Sequence, residues 1–258
     1  METEKSGTFQ HREILLPRRD AEAAVLFIHG FLGSPLQFED LCQAVYQKGY
    51  AAYALLLPGH GGSSTQFART RLDAWEAYTD AQVEKICRRY KSVYLVGHSI
   101  GGLLALQAAA TRQEQVAGVV AIAPPMRIKL SPRGAVNGLK SASQKDAAQN
   151  AIAMAYHRSN SVTPPSLPGY LAYLPRVMDI ERLITKSKKI LPAITIPTLV
   201  IHSKNDEAVR FKSGAIIDRR LSQSHTRRVT LNDSWHAYYV ASEREKIQRE
   251  ILRFIGAG

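Results

Sequence analysis

Five residues of the chain, Gly97-His98-Ser99-Ile100-Gly101, place a serine between two glycines. A serine hydroxyl is a weak nucleophile and attacks only when it is held exposed beside a base. A sharp turn exposes it by forcing its backbone to positive φ, and glycines two residues away relieve the crowding that follows. The base expected for it is His236, in Asp233-Ser234-Trp235-His236. The acid that orients this imidazole is expected to be Asp206, in His202-Ser203-Lys204-Asn205-Asp206. The order Ser, Asp, His matches one known arrangement of a nucleophile–acid–base triad. Asp233 is the rival acid, but three residues from His236 it would have to fold back within its own loop. Two backbone N–H groups are candidates to hold the oxyanion of a tetrahedral intermediate. One is that of Ile100, after the nucleophile, and the other that of Phe31, in His29-Gly30-Phe31. His98 adjoins the serine but points off the turn differently. His29 and His60 fall in loops near the expected mouth of the site. Asp179 and Asp218 fall in predicted helices and read as solvated charges.

These residues need a scaffold that brings three distant segments to one edge. Short apolar runs at 25–28, 50–57, 93–96, 116–123, 198–201 and 228–231 show little alternation, as strands buried on both faces do. Helical patterns lie between them at 36–48, 72–90, 103–110, 211–221 and 242–255. Asp73 is placed as an N-cap, and Ser242 with Glu245 as a capping box. Alternating strand and helix predicts an α/β fold with a mostly parallel sheet and helices on both faces. The candidate serine, aspartate and histidine each follow a strand, so they meet at the edge where open α/β sheets bind ligands. The alternation breaks between Pro124 and Pro197, a stretch too long for one crossover. It holds a helix near 144–157, a proline-rich turn at 163–168 and a returning helix at 179–191. Residues 126–178 are therefore read as an insertion over the sheet, and 1–125 with 179–258 as the core domain.

The motifs His29-Gly30-Phe31, Pro58-Gly59-His60-Gly61 and Gly97-His98-Ser99-Ile100-Gly101-Gly102, with Asp206 and His236, span most of the chain. In them the chain resembles the α/β-hydrolase superfamily, and within it the small bacterial carboxylesterases and monoacylglycerol lipases. The resemblance implies a serine esterase with a small cap, or lid, at 126–178. It carries over Ser99 as nucleophile, Asp206 as acid, His236 as base, and Phe31 with Ile100 as oxyanion-hole donors. It also marks a departure, because family members often have glycine where Trp235 precedes the base. A bulky ring there is expected either to narrow the pocket or to shield the His–Asp pair. The implied activity is cleavage of short- to medium-chain or monoacylglycerol-like carboxylic esters through an acyl-enzyme. A thioesterase or acyltransferase on the same triad is the alternative, and a non-catalytic receptor on the same fold is the remote one. The cap residues Met126, Met154, Tyr156, Tyr170, Leu171, Tyr173 and Met178 are candidates for packing or for lining an acyl pocket.

The 258 residues carry a net charge of +12, unevenly placed. Residues 1–120 hold 12 basic and 12 acidic side chains, whereas 121–190 hold 11 and 3. The excess thus belongs to the second half of the chain. It either solubilises the protein, steers anionic substrates, or supports weak association with an anionic membrane surface. No basic run and no helix-turn-helix or zinc motif supports nucleic-acid binding. Cys42 and Cys87 lack metal-ligand spacing and read as free thiols, so no metal or cofactor is expected. The polar N-terminus lacks the apolar stretch of a signal peptide, so a cytoplasmic protein is expected. The resemblance implies a small-molecule ester as substrate, and the chain is expected to be a monomer or homodimer.

Overall fold

The computed structural model describes residues 9–129, 150–221 and 225–256. A seven-stranded sheet has the order β1-β3-β2-β4-β5-β6-β7. Its strands are β1 (Ile14–Leu16), β2 (Ala23–Ile28), β3 (Ala51–Leu55), β4 (Ser92–His98), β5 (Val116–Ile122), β6 (Thr198–Ser203) and β7 (Thr226–Leu231). All neighbours are parallel except β1, which pairs antiparallel with β3. The described helices are α1 (Glu39–Gln47), α2 (Ser64–Arg69), α3 (Leu72–Cys87), α4 (Ile100–Ala110), α5 (Ala151–Ser159), α6 (Leu174–Ile190), α7 (Lys212–Arg220) and α8 (Ala241–Phe254).

Both faces of the sheet are covered, and β2 shows how. Ala24, Leu26 and Ile28 enter one core with Trp75, Val83, Leu103, Leu106, Leu183 and Ile184 from α3, α4 and α6. Val25 and Phe27 enter the other with Cys42, Val45, Ile247 and Ile251 from α1 and α8. This explains the unbroken apolar runs, because both sides of each central strand lie in a core. α4 is buried along most of its length, so its apolar residues need no single stripe. The β2–β4 register pairs Ile28 with Gly97 and sets the loop after β2 beside the turn after β4. Both cysteines are buried and free.

The structure corrects several details of the sequence reading. β1 is an edge strand three residues long, too short to leave a periodic signal. α2 went unread, although Ser63 and Gln66 form a reciprocal capping box at its start. Asp73 lies in the first turn of α3, whose N-cap is Arg71. Ser242 lies inside the first turn of α8, whose N-cap is Val240, so the expected box with Glu245 is absent. The helix expected at 144–157 is α5, and residues 144–149 fall outside the described residues. The returning helix begins at Leu174 and runs unbroken through residue 178, with Pro175 in its first turn. Asp179 is not a solvated charge. It is 1% exposed, lies 3.0 Å from Arg176 and 3.1 Å from Arg182, and accepts the Leu72 N–H at 3.3 Å. The pair of guanidiniums offsets the cost of burying the carboxylate and ties α6 to the start of α3. Asp218 is partly exposed and pairs with Arg228 at 3.0 Å.

Candidate active site

Ser99 stands at the junction of β4 and α4 with φ 54° and ψ −123°. Positive φ is strained for a residue with a side chain, and here the surroundings over-determine it. Its N–H donates to Ile122 O at 2.8 Å and its carbonyl accepts from Gly102 N at 3.0 Å. The flanking glycines are needed for close approach. A Cβ at Gly97 would stand 2.2 Å from Gly101 O, and one at Gly101 would stand 2.1 Å from Ile28 O. A side chain at Gly97 would thus strike the turn's own backbone, and one at Gly101 the end of β2.

Asp206 follows β6 and His236 follows β7. The His236 ring nitrogen Nδ1 lies 2.9 Å from Asp206 Oδ2. The other carboxylate oxygen, Oδ1, accepts the N–H groups of Ala208 at 2.9 Å and Val209 at 2.7 Å. Burial opposes ionisation of Asp206, but the His236 charge and its hydrogen bond, with the Val209 N–H, outweigh burial and lower its pKa. Burial likewise penalises the His236 imidazolium, yet the Asp206 carboxylate, their hydrogen bond and Glu207 raise its pKa above 6.5. An ionised Asp206 fixes the proton on Nδ1 and leaves Nε2 as the basic nitrogen. Asp233, by contrast, is exposed, and its backbone N–H donates to Glu243.

The loop carrying His236 is held at several backbone points that the sequence reading missed. Glu243 is buried and accepts the N–H groups of Asn232, Asp233 and Ser234 and the Ser234 hydroxyl. Burial raises its pKa, but these donors lower it further, so it stays ionised at neutral pH. Glu207 accepts the His236 N–H at 3.0 Å. The Ser203 hydroxyl donates to Ser234 O. His98 Nε2 lies 2.8 Å from His236 O. A carbonyl only accepts, so Nε2 carries the proton. Burial, with the neighbouring His236, lowers the His98 pKa to about 3 and keeps its ring neutral. Of these partners only His98 lies in a motif, and its place there does not reveal its contact with His236. Glu243 reads as one surface charge among several in Ser242-Glu243-Arg244-Glu245-Lys246.

His29 and His60 are buried rather than lining the cavity. The Leu57 N–H donates to His29 Nε2 at 3.0 Å, so the His29 proton sits on Nδ1 and is donated to Gly30 O at 2.9 Å. This anchors the loop that carries Phe31 to the end of β3. Burial, followed by the neighbouring His60, holds the His29 pKa well below the ordinary value. Burial lowers His60 to about 4.

Ser99, His236, Phe31 and Ile100 all line one cavity of about 570 Å³. Ile100 is the first residue of α4, where helix geometry leaves the N–H without an intrahelical acceptor. Of the seven residues read as either packing or pocket lining, Tyr156 and Tyr170 line this cavity. Met126 and Tyr173 are core, Leu171 and Met178 are exposed, and Met154 faces a neighbouring cavity. Leu32, Ile128, Ile180 and Val209 complete much of the apolar wall and were not singled out from the sequence. Trp235 lies outside the lining, with its N–H donating to Tyr238 O at 2.8 Å, so it does not narrow this cavity. None of the described residues lining it is Asp, Glu, Lys or Arg.

The raised His236 pKa makes a prediction. Protonated imidazole cannot accept the serine proton, so activity is lost as pH falls through its pKa. The acidic limb of kcat/KM is expected to have its midpoint above 6.5, the ordinary histidine value. A pH–rate profile measures it, and a midpoint below that value would contradict the Asp206–His236 pairing as the controlling interaction.

Comparison with known proteins agrees with this architecture. A thermostable monoacylglycerol lipase from Bacillus sp. (strain H-257) is 24% identical over 236 residues, covering 89% of each chain. A carboxylesterase from Bacillus subtilis (strain 168) is 22% identical over 243 residues, covering 92% of this chain and 94% of its own. Among solved structures, a metagenome-derived lipolytic enzyme superposes with a TM-score of 0.76 at 23% identity, covering 96% of this chain and 98% of its own. The monoacylglycerol lipase of Paleococcus ferrophilus superposes with a TM-score of 0.69 at 18% identity, covering 97% and 100%. The fold is that of the α/β-hydrolases, and among the described residues no helix is long and apolar enough to cross a membrane. The family model described as serine aminopeptidase, S33, matches residues 19–166, more than half of the chain, and the protein belongs to this family of hydrolases.

Proposed function

We propose that the protein cleaves carboxylic esters through an acyl-enzyme, with Ser99 as nucleophile, His236 as base and Asp206 as the acid that orients it. The observation that carries this reading is the joint placement of a strained Ser99 and an Asp206-bound His236 on one cavity. His236 Nε2 takes the Ser99 hydroxyl proton as Oγ bonds to the substrate carbonyl carbon. The N–H groups of Phe31 and Ile100 donate to the oxyanion that forms. The C–O bond to the alcohol breaks as the imidazolium returns the proton to the leaving oxygen. Water, deprotonated by His236, then attacks the acyl-serine and releases the carboxylic acid and free Ser99. Asp206 stays ionised throughout and stabilises the imidazolium.

The segment at 126–178 acts as a cap, contributing Ile128, Tyr156, Ser159, Asn160 and Tyr170 to the cavity wall. An apolar, uncharged wall suits a neutral acyl chain of short to medium length. The same wall argues against aminopeptidase action. The substrate's α-ammonium group needs a carboxylate partner, and none of the described lining residues supplies one. Thioester hydrolysis shares the acyl chemistry and is separated by measurement. Rates on p-nitrophenyl butyrate, butyryl-CoA and leucine p-nitroanilide make the test. We expect kcat/KM on the ester to exceed that on the other two by about 100-fold or more. Preferred cleavage of butyryl-CoA or of the anilide would overturn the reading.

A further inference from the structure

A second cavity of about 480 Å³ lies beside the catalytic one. The two share four wall residues, Gln37, His98, Ser159 and Ala237, so they adjoin across these side chains. Helix α5 lies across their boundary. Tyr156, Ser159 and Asn160 at its C-terminal end line the catalytic cavity. Ala151, Met154, Ala155 and Arg158 line the second. Their spacing of i, i+3, i+4 and i+7 is that of one helical face. The second chamber has an apolar base that includes the buried Phe38, Ile122 and Ile247, and α8 adds the polar Arg244 and Gln248.

Mechanism decides which half of an ester this chamber suits. The imidazole must protonate the leaving oxygen, so the alcohol lies on the His236 side of the scissile bond. Ala237 follows His236 and forms part of the shared wall, and Tyr238 and Tyr239 continue into the second chamber. Phe31 and Ile100, the proposed donors to the carbonyl oxygen, line the catalytic cavity and not the second one. We infer that the second chamber is the subsite for the alcohol half of the ester, and that Met154 and Ala155 set the length of alcohol it accepts. The substrates are then esters with bulk on both sides of the scissile bond, the alcohol being an aliphatic chain whose far end tolerates a polar group. This assignment rests on the ester-hydrolase reading above.

Two isomeric esters test it, hexyl acetate and ethyl hexanoate, which contain the same atoms with the long arm on opposite sides of the ester. Ala155→Trp fills the second chamber. Its kcat/KM for hexyl acetate is expected to fall about tenfold or more, while ethyl hexanoate and ethyl acetate stay within about twofold. Met154→Ala enlarges the chamber and is expected to raise kcat/KM for decyl acetate severalfold without raising that for ethyl decanoate. If Ala155→Trp fails to fold, Met154→Ala decides alone. Equal effects on both isomers, a loss confined to ethyl hexanoate, or no effect from either variant overturns the chamber assignment and leaves the ester-hydrolase reading standing. If the wild-type protein cleaves none of these esters, the ester-hydrolase reading falls and the assignment falls with it.

Discussion

Replacing Ser99 by alanine is expected to lower kcat by about 10⁶-fold while leaving the fold intact. In the proposed mechanism the Ser99 hydroxyl supplies the bond-forming atom, whereas that of Ser159, the other serine on the described wall, donates to Tyr156 O at 3.2 Å. Tyr156 and Tyr170 line the same cavity, but a phenol is not held on a strained turn at the start of a helix as Ser99 is. The backbone makes a further prediction at this position. With φ at 54° and ψ at −123°, Ser99 occupies a region that only glycine adopts without strain. Ser99→Ala keeps the strain, whereas Ser99→Gly removes it. The glycine variant is therefore expected to be as inactive as the alanine variant yet more stable than it, by about 1 kcal/mol. Thermal unfolding of both variants beside the wild type measures the difference. A glycine variant less stable than the alanine one would show that the turn stores no strain.

Asp206→Asn is expected to reduce kcat by about 10⁴-fold, and Asp233→Asn by no more than about threefold. The reason is the direction of the hydrogen bonds. The Ala208 and Val209 N–H groups both donate to Oδ1, so an asparagine must place its carbonyl oxygen there. Its NH₂ group then replaces Oδ2 and donates to His236 Nδ1. That nitrogen becomes an acceptor, the proton moves to Nε2, and the base loses the lone pair that should accept the serine proton. Without the carboxylate charge the His236 pKa also falls, so the acidic limb of the pH profile shifts to lower pH as kcat drops. Asp233 contributes only its backbone N–H to the Glu243 clamp, which asparagine retains. Steady-state kinetics of the two variants rank them. A larger loss at Asp233 would reassign the acid.

The sequence was informative where chemistry or packing repeats locally. Ser99 was legible because a strained turn demands Gly97 and Gly101 at fixed offsets, and the central strands because burial on both faces leaves continuous apolar runs. Asp206 and His236 were legible as residues just past predicted strands, and the parallel sheet brings those strand ends to one edge. What was not legible depends on distant partners. Asp179 looks like any helical surface charge until the start of α3 and two arginines are seen to enclose it. Glu243 has no motif, because its four donors lie some ten residues back in a loop of irregular shape. The cavity wall draws Leu32, Ile128, Ile180 and Val209 from four separate segments, and no single periodicity links them. The capping box of α2 is a different case. Ser63 and Gln66 were visible in the sequence, and the six-residue helix they start was too short for its apolar pattern to stand out.

The charge asymmetry also changes meaning once the site is built. Residues 121–190 hold 8 of the 12 net positive charges, yet the cavity wall around Ser99 carries no charged side chain among the described residues. The described wall thus offers a substrate shape and apolar contact rather than a charged partner.

The most direct test of the account is covalent labelling with a fluorophosphonate, followed by peptide mapping. Such a reagent reacts with a serine only where a base activates it and oxyanion donors hold the phosphoryl oxygen. The account predicts one adduct per chain, on Ser99, and its loss in the His236→Ala variant. An adduct on any other residue, or none on the folded protein, would contradict it.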